Sequence, residues 1–419
     1  MSTVIRKSLL QLVFSGAFMK RWNDRLRPME LMEVDKQAHK MIVAWMLLSR
    51  ITKDMDQETR LTLVDETIEG GLFDYFYRLV ITDIKPPVFY KIKANREDYQ
   101  KLTQWVLPQL KPRLAPLGED FWQRMTDALM EPEEKTLSRR ILMAAHLFAS
   151  YSEFRLLKPI NPHDEELPEI EHSFVSRLQA LSDIPGVADL IASDDNEFQR
   201  FAARAGQLRF QKRWSQTPRV PETTVLGHMF LVAAYSWFFS VEAGACRARR
   251  HNNFFTGLFH DLPELLTRDI ISPVKSSDAS ISELIKQYET QELERRILGP
   301  LRSGGCADLA ERLSYLLGLA VGSEFIATVR EDGPDGFQVR HVTEEDLRGP
   351  KNRDELDPKD GPLLKMCDNL AAFIEADTAL RNGINNEQLH QARWRIRHLY
   401  DSRPEVMGIQ VGALMADFD

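Results

Sequence analysis

Two stretches of this chain occur twice, in the same order, and that recurrence limits the fold more than any other feature. KRWNDRLRPMELMEVDKQAHKMIVAW, from Lys20 to Trp45, is echoed by KRWSQTPRVPETTVLGHMFLVAA, from Lys212 to Ala234. Each carries a KRW triplet, then a proline, an acid and a histidine at an apolar run. GLFDYFYRLVITDIKPPV, from Gly71 to Val88, is echoed by GLFHDLPELLTRDIISPV, from Gly257 to Val274. Two matches in register point to a duplicated domain, so the halves should share one architecture. Around them apolar residues recur three and four apart over long stretches without Gly or Pro, the period of amphipathic helices. The expected fold is mainly α, with two tandem helical domains at 1–160 and 161–419. LKPINPHDEELPE, from Leu157 to Glu169, carries three prolines and a run of acids and reads as the linker between them.

One segment breaks the helical pattern. Between Phe325 and Val342, IATVRE and FQVRHVT flank EDGPDG, and β-branched residues around an Asp/Gly turn signal a hairpin. The polar stretch after it, TEEDLRGPKNRDELDPKDG, reads as an exposed loop. Hairpin and loop together form an expected insertion at about 325–362 in the second domain.

Composition narrows the functional classes. Of 419 residues, 43% are hydrophobic and 28% charged, the mix of a soluble globular protein with apolar material for large cores. A formal net charge of -8 disfavours an extended nucleic-acid footprint, which needs a basic excess, while a single mononucleotide in a pocket remains compatible. Cys246, Cys306 and Cys367 form no CxxC pair and read as free thiols in a reducing compartment. The N-terminal MSTVIRKSLLQLVFSGAFMKRW reads as an amphipathic helix and not as a secretion signal. No run of roughly 20 apolar residues, the length a bilayer span requires, is evident, the nearest being MIVAWMLL at Met41 to Leu48. The expectation is a cytoplasmic protein with no membrane partner, and a homo-oligomer is compatible with it.

The chemistry-bearing residues lie in the second half. His228 sits near the start of TTVLGHMFLVAAYSWFFS, the pair His260 and Asp261 follows another apolar stretch, and Asp368 lies within LLKMCDNLAAFIEA. Imidazoles and carboxylates from separate helices can converge on one divalent cation and leave positions for water and a substrate oxygen. Singly, each is more often a hydrogen-bonded core residue. Glu264, one helical turn beyond His260, would face the same side, although Pro263 would disturb such a turn and place the pair where one helix ends and another begins. The cluster CRARRH, from Cys246 to His251, reads as cations at a helix C-terminus, favoured by the macrodipole.

Taken together, RW, H, HDxxE, TxD, PVK and a later D resemble the HD-domain 5'-deoxynucleotidases, a branch of the HD phosphohydrolase superfamily. The resemblance is dense from Arg213 to Lys275 and then rests on the Asp368 region. It implies two HD-like helical domains and a metal held by His228, His260, Asp261 and Asp368. It implies catalytic roles for Glu264 and Asp269, phosphate binding by Arg213 and Lys275, and crowding of the ribose 2'-position by Trp214. The implied activity is removal of phosphate from a nucleoside 5'-monophosphate, deoxynucleotide preferred, by a metal-activated water. Other HD hydrolases act on triphosphates, alarmones or cyclic dinucleotides, and a non-catalytic nucleotide-binding or regulatory protein is a further alternative. Two imidazoles and two carboxylates suit Mn, Co, Fe, Ni, Zn or Mg without choosing among them. Gly227 and Met229 depart from the acid and small polar residue usual around the first histidine, which bears on pocket shape.

In the first half Arg21, Trp22, His39, Asp83 and Pro87 persist, but the pair does not. Aligning on GLF sets Asp74 and Tyr75 opposite His260 and Asp261, Arg78 opposite Glu264, and Phe89 opposite Lys275. Ala145, with His146 beside it, falls opposite Asp368. An arginine in place of the catalytic carboxylate would repel a cation, so the first domain should keep the fold and lack the metal. Arg21 and Trp22 could still hold a phosphate and a ring, or simply stabilise a turn.

Overall fold

The computed structural model describes residues 4–82, 84–131, 135–192, 196–268, 278–333 and 336–419. Helices dominate, as the periodicity predicts. The described strands are three antiparallel pairs: Lys20–Arg21 with Leu31–Met32, Thr328–Gly333 with Gly336–His341, and Glu405–Val406 with Ile409–Gln410.

The Val225–Glu242 helix is the structural centre. Thr224 caps it, its hydroxyl accepting from the Gly227 amide at 3.0 Å, and every residue from Val225 to Ser240 is buried. A helix apolar on all sides must be surrounded. It packs against the Arg247–Phe259, Glu33–Ile51 and Gly361–Arg381 helices, and Leu137–Leu157 packs in turn on Glu33–Ile51 and on Gln57–Ile81. One hydrophobic core therefore runs from Ile5 to Phe418 and includes residues of both halves. By length and mean hydropathy, 1.3, Val225–Glu242 could cross a membrane, but 89% of it is buried inside the protein. The strongest apolar run is thus this helix and not Met41 to Leu48.

The hairpin forms where the sequence places it, with Thr328 opposite His341 and Gly333 opposite Gly336. Three other expectations are corrected. The 343–361 stretch is not an exposed loop. Thr343 and Asp346 form a capping box for the Glu344–Arg348 helix, and Lys359 and Asp360 are fully buried, the Asp360 amide donating to Asn253 Oδ1 at 2.9 Å. The Leu157–Glu169 stretch is folded against its neighbours: Arg25 donates to Asp164 at 2.7 Å, and Leu167, where a helix begins, packs with Phe154 and Leu157. CRARRH opens a helix and does not close one, since Cys246 is the N-cap of Arg247–Phe259. Two of its members are held by the Gln57–Ile81 helix, with Arg247 Nε 2.8 Å and His251 Nε2 2.8 Å from Asp65, while Arg249 bonds the Leu347 carbonyl and Arg250 lies over the Trp237 ring.

Candidate metal centre

The Arg247–Phe259 helix ends just before the HD pair, at the chain break Pro263 imposes. His260 follows its last residue, and the next helix starts at Glu264, as the position of Pro263 predicts. Gly257 lets this helix lie against Val225–Glu242, because a Cβ there would sit 2.9 Å from the backbone of Ala233. That close approach faces His260 toward His228, the fourth residue of the central helix, with ring centroids 5.4 Å apart. Asp368 arrives from Gly361–Arg381, a helix started by the Asp360 side chain accepting from the Leu363 amide at 3.1 Å.

These four side chains converge. His228 Nε2 lies 3.1 Å from Asp368 Oδ1 and 3.8 Å from Asp261 Oδ2. His260 Nε2 lies 3.2 Å from the same Asp261 oxygen, and ligand atoms of His228, His260 and Asp261 all fall within 4.8 Å of one another. His260 Nδ1 donates to the Gly257 carbonyl at 2.8 Å, which orients the ring and turns Nε2 toward the cluster. Buried Nε2 has no hydrogen-bond partner of proper geometry. Such a second-sphere bond is how ligating imidazoles are oriented.

The electrostatics call for a cation. Burial would raise the Asp261 carboxyl, yet His260, Arg213 and His228 hold it well below the carboxylate range. Asp368 is likewise depressed, against its burial, by Lys365, His228 and His260. Burial alone would lower His260, but Asp261 and Asp368 push it up to about 9, so in the protein alone a proton on imidazole supplies the positive charge. A divalent ion fits the same place, since its ligands bind deprotonated.

Arg213 Nη1 donates to Asp261 Oδ2 at 3.1 Å and its Nε lies 3.5 Å from Glu375. Trp214 donates through Nε1 to Glu375 at 3.2 Å and lies under the Arg219 guanidinium. Glu264 is buried on the turn after the pair. Asp269 and Lys275, like Asp83 in the first half, lie outside the described residues.

Several site residues escaped the sequence reading. Glu375, fully buried, accepts from Thr223 Oγ1 at 2.7 Å, faces His228 Nδ1 at 3.7 Å, and is held far below its ordinary range by Arg213, His228 and Arg219 despite burial. Its signal was an acid two turns beyond Asp368 on an apolar helix, hence on the same face. Phe325 stands 6.3 Å from the His260 ring, with Lys365 over it at 4.5 Å and bonded to Asp368 at 2.8 Å.

Several local features of this framework have counterparts in the first half. Trp22 and Trp214 both adopt left-handed backbone, φ 54° and 56°, strained for a bulky residue, and both indoles donate to a buried glutamate: Trp22 to Glu153 at 3.0 Å, Trp214 to Glu375. The Glu33 amide bonds the Met19 carbonyl as the Val225 amide bonds that of Gln211, each at 2.9 Å. That register sets Lys36, not His39, at the place of His228. His39 points elsewhere, Nε2 to the Ala202 carbonyl at 2.8 Å and Nδ1 to Arg209 at 3.1 Å. His146, seven residues before Glu153, takes the place that Asp368 has before Glu375, which corrects the alignment on Ala145. The Tyr75 hydroxyl is tied to the Val13 carbonyl at 2.6 Å.

No curated protein matches the chain, and no solved structure does. Residues 205–397 match the family described as HD domain, a family that binds divalent metals. His228, His260, Asp261 and Asp368 all fall within that span. The part of the chain that builds the centre, somewhat under half of the whole, is therefore similar to the HD domain, whose members are in general metal-dependent phosphohydrolases.

Proposed function

We propose that the second half hydrolyses a nucleoside 5'-monophosphate, deoxynucleotide preferred, to nucleoside and phosphate. The observation that carries the reading is the buried, hydrogen-bond-oriented His260 Nε2 among His228, Asp261 and Asp368. A divalent cation there would supply Lewis acidity toward a phosphate oxygen and acidify water. Arg213, with its planar fork at the mouth of the cluster, binds the phosphate in exchange for its bond to Asp261. Glu264 takes the proton of the attacking water. The water oxygen forms the new bond to phosphorus, the bond from phosphorus to O5' breaks, and O5' leaves with a proton. Asp269 and Lys275 keep the roles that the resemblance gives them. Trp214, anchored by Glu375, limits room at the sugar 2'-position. The shared Trp–Glu anchors support an origin of the first half by duplication, with loss of the ligands.

Metal analysis of the purified protein and phosphate release over a nucleotide panel test this reading. Turnover should require the ion and vanish in His260→Ala and Asp261→Ala. Unchanged turnover in those variants refutes hydrolysis at this centre, and release from triphosphates or cyclic dinucleotides alone would replace the substrate class. A protein that binds nucleotide without turning it over would be a regulatory module.

A further inference from the structure

The framework shared by the halves is filled in the first by cations. Lys36 occupies the helix position of His228, is 3% exposed, and its ammonium comes no nearer to a carboxylate than 3.8 Å from Glu33. Among the described residues it makes no hydrogen bond. Arg78, where the second half has Glu264, stands 3.7 Å from the same Glu33, whose nearer partner is Arg21 at 2.7 Å. Lys40 and Arg139 share Asp74, at 2.9 and 3.0 Å. Arg21 and Arg209 share Glu153, at 2.9 and 3.1 Å. Three carboxylates thus face five fixed cations and Lys36, whose ammonium is lowered to about 7 by burial first, with Arg21 and Lys40 adding to the fall and Glu33 opposing it. Half-buried His146 lies among Lys36, Lys40, Arg21 and Arg177, and burial together with their charges keeps its imidazole neutral. Arg177 reaches the same face, donating to Met143 Sδ at 3.4 Å.

A buried ammonium without a hydrogen bond is costly, and an uncompensated positive cluster is relieved by an anion. A tetrahedral dianion offers several acceptors to Lys36, Arg78 and His146 at once. We infer that the first-half cluster of Lys36, Arg78 and His146 is a metal-free binding site for a phosphate oxyanion, with Lys36 standing where a metal ligand would be. The anion's source is inorganic phosphate or the phosphate of a nucleotide. The site does not depend on hydrolysis in the second half.

The test is calorimetric titration of inorganic phosphate into the full-length His260→Ala/Asp261→Ala protein in EDTA, so that the metal centre takes no part. Saturable binding is expected. Loss of one charge-assisted contact should weaken it about tenfold in Arg78→Gln and again in Lys36→Met. Lys36→Met replaces the buried ammonium with an apolar chain of similar length and should not lower the thermal midpoint, and if it fails to fold, Arg78→Gln decides alone. No saturable binding in the parent, or affinity within about threefold of the parent in the folded variants, overturns the inference. A parallel titration with a nucleoside monophosphate identifies the source: tighter binding marks a nucleotide site, equal or weaker binding a site for free phosphate.

Discussion

His39 should make the protein acid-sensitive at a single identifiable atom. Arg209 Nη2 donates to Nδ1 at 3.1 Å and Nε2 donates to the Ala202 carbonyl at 2.8 Å, so a second proton would have to enter at Nδ1, against a guanidinium. Burial first, then the Arg209 charge, lowers the imidazole from 6.5 to about 3. A histidine with a depressed folded-state pKa leaves stability intact above pH 6.5 and removes it as pH falls toward 3, because only the unfolded chain takes up the proton. Linkage gives a loss of about 2 kcal/mol at pH 5 relative to pH 8 from this group alone. Gln in its place can keep one polar contact but cannot titrate. Urea unfolding followed by tryptophan fluorescence should show His39→Gln costing about 1–3 kcal/mol at pH 8. At pH 5 the cost should be smaller by about 2 kcal/mol. Groups common to both proteins cancel in that comparison. Equal costs at the two pH values would show that the imidazole is protonated in the folded state, and the structural reading of His39 would fail.

Other expectations follow from the same geometry. Gly257→Ala should cost about 1–3 kcal/mol in thermal or urea unfolding, since its Cβ meets Ala233 backbone at 2.9 Å, whereas Gly71→Ala meets only the movable Met41 side chain and should cost less. Glu375→Ala strips the shared partner from Arg213, Arg219, Trp214 and His228 and should destabilise by about 3–5 kcal/mol; a midpoint within a degree of the parent would refute its anchoring role. Added Mn2+ at a hundred times its Kd should stabilise the parent by about 2.7 kcal/mol and leave Asp261→Ala unmoved. Trp214→Ala should erode discrimination against ribonucleotides in phosphate-release assays, and preserved selectivity would remove its part at the sugar.

Much of the centre was legible because its chemistry is local in sequence. The HD pair, Glu264 and Pro263 lie within five residues, and the break that Pro263 forces is where the structure turns. Glu375 was hidden because its meaning depends on which face of Gly361–Arg381 meets His228, a tertiary fact. The first-half register went astray for a related reason. Matching histidine to histidine slides the alignment by almost one helical turn, and residues one turn apart share a face, so pattern alone does not separate Lys36 from His39. The main-chain bonds at Met19 and Gln211 do. The CRARRH cluster was misplaced because the preceding helix stops at Glu242, before the basic residues, at a Gly–Ala–Cys turn that carries little propensity signal. The 343–361 stretch looked exposed because burial of Lys359 and Asp360 is secured by Tyr315 and Asn253, residues distant in sequence.

The Glu33–Ile51 helix lies directly on the Val225–Glu242 helix, and Thr224, the cap that starts the latter, donates to Asp35 at 2.7 Å. The wall behind His228 is thus supplied by the first half. Cutting the chain between the halves would lay bare the most apolar surface in the protein and free the turn that aims His228. The first half is thus part of the interior on which the second half is built.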